Sequence, residues 1–149
     1  MHTRAAAFWL AAAGFLAGSI PLAHAQEAAL ATAVQEFDAG LSLSASRVIG
    51  DFDGDGRPDV AAILQGSGRR ALVVFHGGEE GFVAHPLYAN LPEGEVELRL
   101  VPPGNRRVLG APGVVELQAP GLELSFPGRS SALYAWRGGR YQSFGTENY

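Results

Sequence analysis

The chain of 149 residues contains no cysteine and no lysine. The first absence removes a disulfide framework, a thiol nucleophile and thiolate metal ligands in one step. The second leaves arginine as the only strong base, and residues 26–149 set 10 arginines against 15 acidic residues, a formal charge of about −5. An acidic balance of that size argues against general nucleic-acid binding, which needs a basic face to engage phosphates. It also gives no attraction to anionic lipids. Catalytic signatures are missing as well: there is no G-x-S-x-G, no H-E-x-x-H and no P-loop. His76 and His85 stand nine residues apart in segments that read as turns, and Ser67 lies in a glycine-rich tip. No third group is placed by sequence to orient either imidazole. Glu93, Glu95 and Glu97 alternate with Gly94 and Val96 as an exposed strand face would, and nothing selects two of them as a hydrolytic pair. The expectation is a protein that is not an enzyme.

The N-terminus reads as an export signal. Arg4 supplies a positive start, Ala5 to Leu22 form an apolar stretch interrupted by Gly14, Gly18, Ser19 and Pro21, and Ala23-His24-Ala25 is a small-x-small cleavage site before Gln26. With no cysteine after the apolar run, a lipid anchor is excluded. Residues 1–25 are thus predicted to be a Sec-type signal peptide. Residues 26–149 are predicted to form one domain, delivered to a bacterial periplasm or the exterior and large enough for a single modest core.

Against this background one cluster stands out. Four of the five aspartates fall within nine residues, Asp51-Phe52-Asp53-Gly54-Asp55-Gly56-Arg57-Pro58-Asp59. Carboxylates held 4–5 Å apart repel by about 1 kcal/mol per pair in water and several times that near a protein surface. A loop of this kind therefore resists closing without a cation. Oxygen ligands at relative positions 1, 3, 5 and 9, a glycine at position 6 for the sharp turn, and the backbone carbonyl of Arg57 at position 7 suit a hard ion. No histidine lies near in sequence, which argues against zinc or copper, and a flexible all-oxygen cage suits Ca²⁺ better than Mg²⁺. The predicted metal ligands are Asp51, Asp53, Asp55, Arg57 and Asp59. An EF-hand is excluded because its twelfth position, a bidentate glutamate, is Ala62 here, and because Asp59-Val-Ala-Ala-Ile-Leu64 reads as a buried strand.

The run Ile49-Gly-Asp-Phe-Asp-Gly-Asp-Gly-Arg-Pro-Asp-Val-Ala61 resembles the calcium-binding hairpin of the FG-GAP/VCBS repeat family, known from integrin-type β-propellers. The resemblance covers about 20 residues and implies a calcium-stabilised hairpin with the same five ligands. It occurs in a single copy, whereas a propeller needs at least four blades. A complete β-propeller is therefore excluded.

Leu30, Val34 and Phe37 recur at helical spacing, so Gln26 to Ala39 is predicted to be a short amphipathic helix lying across a sheet and ended by Gly40. Strands are predicted at Leu41–Ile49, Asp59–Leu64, Ala71–Phe75, Phe82–Leu87, Val96–Val101, Val114–Leu117, Leu122–Phe126, Ser131–Arg137 and Arg140–Phe144. Pro102 to Pro112 reads as a long loop, and Gln65 to Arg70 as a connection into a central, wholly apolar strand. The fold class that follows is α+β, mainly antiparallel sheet with one short N-terminal helix. Gly138-Gly139 suits a two-residue turn that sets Trp136 opposite Tyr141 and Leu133 opposite Phe144.

Two functional readings emerge. The first is an exported, non-enzymatic calcium-binding protein contacting a protein or envelope glycan. The alternative is a small periplasmic inhibitor or carbohydrate-binding module that uses Tyr134, Trp136 and Tyr141 on one hairpin face; the bland counterpart is that these rings pack beneath the helix. The pairs Arg69-Arg70 and Arg106-Arg107 read as solvated loop tips.

Overall fold

The computed structural model describes residues 21–147, so the predicted signal peptide lies almost wholly outside the described residues. One helix, α1 (His24–Phe37), precedes ten strands: β1 (Ser42–Gly50), β2 (Asp59–Gly66), β3 (Arg69–Gly78), β4 (Gly81–Tyr88), β5 (Glu97–Val101), β6 (Gly104–Arg107), β7 (Val114–Leu117), β8 (Gly121–Phe126), β9 (Ser130–Arg137) and β10 (Arg140–Thr146). All pairings are antiparallel. They build a meander β1-β2-β3-β4, a second four-stranded sheet β10-β9-β8-β5, and the hairpin β6-β7. This is the expected mainly antiparallel α+β arrangement, and among the described residues the strands form no ring of blades.

Alternating side chains create three apolar layers. On one face of the first sheet, Val60, Ala62, Leu64, Ala71, Val73 and Phe75 meet Leu30, Ala33 and Val34 of α1. On the other face, Ala61, Ile63, Leu72 and Val74 meet Leu122, Leu124 and Tyr134 of the second sheet. Beyond that sheet, Leu133 and Ala135 pack on Val115 and Leu117 of the β6-β7 hairpin. Strands β2 and β3 are thus covered on both sides, which is why their sequences are apolar without alternation.

Four sequence expectations change. Residues 104–107 form a strand inside the predicted loop; after Pro102 and Pro103, which have no amide hydrogens, Gly104-Asn-Arg-Arg107 pairs through its backbone with β7 while its polar side chains hide the period. The connection between β2 and β3 shrinks to Ser67-Gly68, both at positive φ, as a primed two-residue turn requires. The arginine pairs are strand residues, with Arg69 on the Asp38 carboxylate and Arg70 on the carbonyls of Pro92 and Gly94. The Gly138-Gly139 hairpin keeps its expected register, Trp136 opposite Tyr141 and Leu133 opposite Phe144. Those rings do not lie beneath the helix, however, because α1 packs on the far face of the other sheet.

Phe52, the second residue of the acidic loop, is 1% exposed and belongs to the layer between the two sheets. Phe52→Ala is expected to cost about 3–5 kcal/mol, measured as a shift of the urea midpoint at unchanged slope.

Candidate metal centre

The acidic loop joins β1 to β2 and is closed at its base by the pairing of Gly50 with Asp59. Its backbone is organised by its own carboxylates. Asp51 accepts from the N–H groups of Asp55 at 3.0 Å and Gly56 at 2.8 Å. Asp53 accepts from Asp55 N–H at 3.3 Å, and Asp55 from Arg57 N–H at 2.8 Å. Gly54 and Gly56 take φ of 73° and 85°, a region that costs other residues strain. With Phe52 turned into the core, Asp51, Asp53 and Asp55 bring one carboxylate oxygen each to within 4.8 Å of one another.

Asp59 behaves differently from the other three. It is fully buried, and its Oδ2 accepts from Phe52 N–H at 2.8 Å and Asp53 N–H at 3.3 Å, while Oδ1 accepts from Gly77 N–H at 2.9 Å. One carboxylate therefore clasps the start of the loop to the end of β3. Gly77 has no room for a side chain, since a Cβ there would stand 2.3 Å from the Pro58 carbonyl oxygen. The Arg57 guanidinium leaves the loop for Glu79 at 3.0 Å.

The five predicted ligands do not form one group. Asp59 shares a cluster with Asp53 and His76, in which one ligand atom of each lies within 4.8 Å of the others, and Asp53 belongs to both clusters. His76 corrects two expectations: it lies in β3, not in a turn, and it stands beside the loop although it is 17 positions beyond Asp59 in sequence. The signal that could have found it is the β2-β3 register. Ala61 faces Val74 and Val60 faces Phe75, so the next step brings Asp59 to His76. His85 stands opposite Val74 in β4, and the two imidazoles lie 4.2 Å apart.

His76 also reaches the second sheet. Its Nε2 lies 2.5 Å from the Tyr141 hydroxyl, and its ring meets Trp136 edge-on at 4.6 Å. Tyr134 is 8% exposed between the sheets, and Trp136 is half-buried against both histidines and Tyr141. The aromatic hairpin face packs on the two histidines, and its three rings also line a cleft of about 320 Å³ together with His85, Pro86 and Arg140. A cleft of about 700 Å³ opens elsewhere, along Arg99, Arg107, Leu109 and Val114, and no residue of the acidic loop lines it.

Burial sets the protonation of the centre. Asp59 is pushed up from 3.8 to about 7, first by desolvation and further by the Asp53 charge, against the pull of the Gly77 N–H. Asp53 is also raised, chiefly by burial. His76 is pushed down from 6.5 to about 4, first by burial and then by His85, which keeps the imidazole neutral.

No family model matches the chain, and no curated protein and no solved structure matches it either.

The two shifts act in opposite senses on a metal-free chain. Asp59 holds its proton more tightly when folded, so its contribution is full below pH 3.8 and is lost as pH rises through about 7. His76 resists protonation when folded, so its contribution is full above pH 6.5 and is lost as pH falls to about 4. In urea unfolding with chelator, His76→Phe is expected to lose stability more steeply than the parent chain between pH 4 and 7. Equal slopes would contradict this assignment.

Proposed function

We propose that this chain is an exported, non-enzymatic calcium-binding protein whose loop between β1 and β2 holds one Ca²⁺ and thereby fixes a surface for protein or cell-envelope contacts. The observation that carries the reading is the approach of Asp51, Asp53 and Asp55 oxygens to within 4.8 Å on one side of a loop anchored from the other by Phe52. Calcium–oxygen bonds of about 2.3–2.6 Å allow ligands up to about 5 Å apart across the ion, so that separation fits. In this reading the Arg57 carbonyl and Asp59 complete the shell, and Asp59 also keeps the loop closed.

The resemblance to the FG-GAP/VCBS hairpin supports the same ligand set, and the loop's place between the first two strands of a four-stranded antiparallel meander is consistent with it. The export signal read in residues 1–25 would deliver the chain where calcium is plentiful. There the ion would take the stapling role that disulfides play in other exported domains. The aromatic hairpin supports the second reading, a carbohydrate or peptide contact, only through the cleft of about 320 Å³ that Tyr134, Trp136 and Tyr141 line, since Tyr134 is otherwise buried and Trp136 packs on His76 and His85.

Extracellular calcium modules bind at about 10⁻⁴–10⁻³ M. At tenfold excess over such a dissociation constant the ion adds about 1.4 kcal/mol of stability, a melting shift of several degrees for a domain of this size. Asp51→Asn or Asp55→Asn is expected to abolish most of the difference between melts in calcium and in chelator, while Glu95→Ala preserves it. A parent chain that melts identically in the two buffers would sink the proposal.

A further inference from the structure

We propose that Asp53, Asp59 and His76 form a second cation site, distinct in chemistry from the all-oxygen loop and suited to a borderline transition-metal ion of the zinc class. The three donors come from the loop, the start of β2 and the end of β3, and one ligand atom of each lies within 4.8 Å of the other two. The set is one imidazole nitrogen and two carboxylates. Imidazole suits zinc and its neighbours, whereas calcium and magnesium select oxygen alone.

The spacing inside the group favours a shared ion over a direct contact. His76 Nδ1 lies 3.5 Å from Asp53 Oδ2. A charge-assisted N–H···O bond closes to about 2.7–2.9 Å, but neighbouring ligands of a tetrahedral zinc with bonds of about 2.0–2.1 Å stand about 3.4 Å apart.

A second, independent feature orients the imidazole for this task. Its Nε2 is engaged at 2.5 Å by the Tyr141 hydroxyl of the opposite sheet, and Trp136 and His85 pack on the ring. In the tautomer that donates Nε2–H to Tyr141, the Nδ1 lone pair is free on the side of Asp53, matching metal-ligating histidines, whose other ring N–H goes to an outer-shell acceptor. The His76 side chain is 9% exposed and that of Asp53 16%, so the ring is held while an entry path remains along Asp53. Asp53 contributes to both clusters, one oxygen accepting from Asp55 N–H and the other facing His76. This inference stands without the calcium reading.

The test is calorimetric titration of the full chain with Zn²⁺ in calcium-free buffer, repeated with Co²⁺ while recording the visible spectrum. The parent chain is expected to take up Zn²⁺ and to give the intense bands of four-coordinate cobalt. His76→Phe keeps a ring in the aromatic packing but removes both nitrogens, and is expected to weaken Zn²⁺ at least about tenfold, with Tyr141→Phe weakening it about tenfold through the lost orientation. Asp51→Asn, which keeps all three proposed zinc ligands in place, is expected to weaken Zn²⁺ far less than His76→Phe does. Zinc uptake that vanishes in Asp51→Asn and survives in His76→Phe would mean that zinc merely enters the loop, and would overturn the proposal. No zinc uptake by the parent chain would overturn it too. If His76→Phe fails to fold, Tyr141→Phe decides: unchanged zinc affinity overturns the site. Zinc uptake dependent on His76 in a chain that ignores calcium would sustain this proposal and remove the previous one.

Discussion

The buried carboxylate of Asp59 is the constraint on which the centre depends. It accepts three backbone N–H groups, two from the start of the acidic loop and one from Gly77 at the end of β3, and so ties three segments together. Desolvating a carboxylate is costly unless its lone pairs are filled, and here the donors are main-chain amides fixed by the sheet. Because the clasp fixes Phe52 and Asp53, it sends one side chain into the core and the other toward His76. The loop's conformation is thus set from below by hydrogen bonding, while the outward carboxylates of Asp51, Asp53 and Asp55 are left facing one another.

That division explains why two donor sets share one loop. The outward set is oxygen only and lies in the exposed part of the turn, where a hard ion can keep waters. The inward set adds an imidazole that the strand pairing delivers from β3 and that Tyr141 holds from the opposite sheet. Asp53 sits at the boundary, with an oxygen for each. The two sheets therefore meet at the centre as well as in the apolar layer beneath it: Phe52 carries the loop into that layer, and His76 links the inward carboxylates to Tyr141 of the second sheet.

Much of this was legible in the residues. The apolar runs of β2 and β3 marked strands covered on both sides, the glycine pair at 138–139 gave a register that the structure keeps, and the D-x-D-x-D-G spacing marked the loop. Strand β6 was hidden because its pairing with β7 is a backbone matter and Gly104-Asn-Arg-Arg107 has no apolar period to betray it. His76 was hidden for a different reason: its nearness to Asp59 is a consequence of register, and the register depends on recognising Ser67-Gly68 as a two-residue turn within a longer polar stretch. The pair Arg69-Arg70 misled because a charged dipeptide reads as solvent-facing, whereas these side chains reach across to Asp38 and to the carbonyls of Pro92 and Gly94. Composition reports where charge is, and topology decides what it meets.

We propose that a divalent ion holds the outward aspartates of this loop together, and calorimetric titration of the full chain with Ca²⁺ up to millimolar concentration decides it. The expected result is saturable heat at one equivalent, abolished in Asp55→Asn. A chain that shows native far-UV circular dichroism and yet takes up no calcium in that range would leave the aspartates without their ion and the calcium reading refuted.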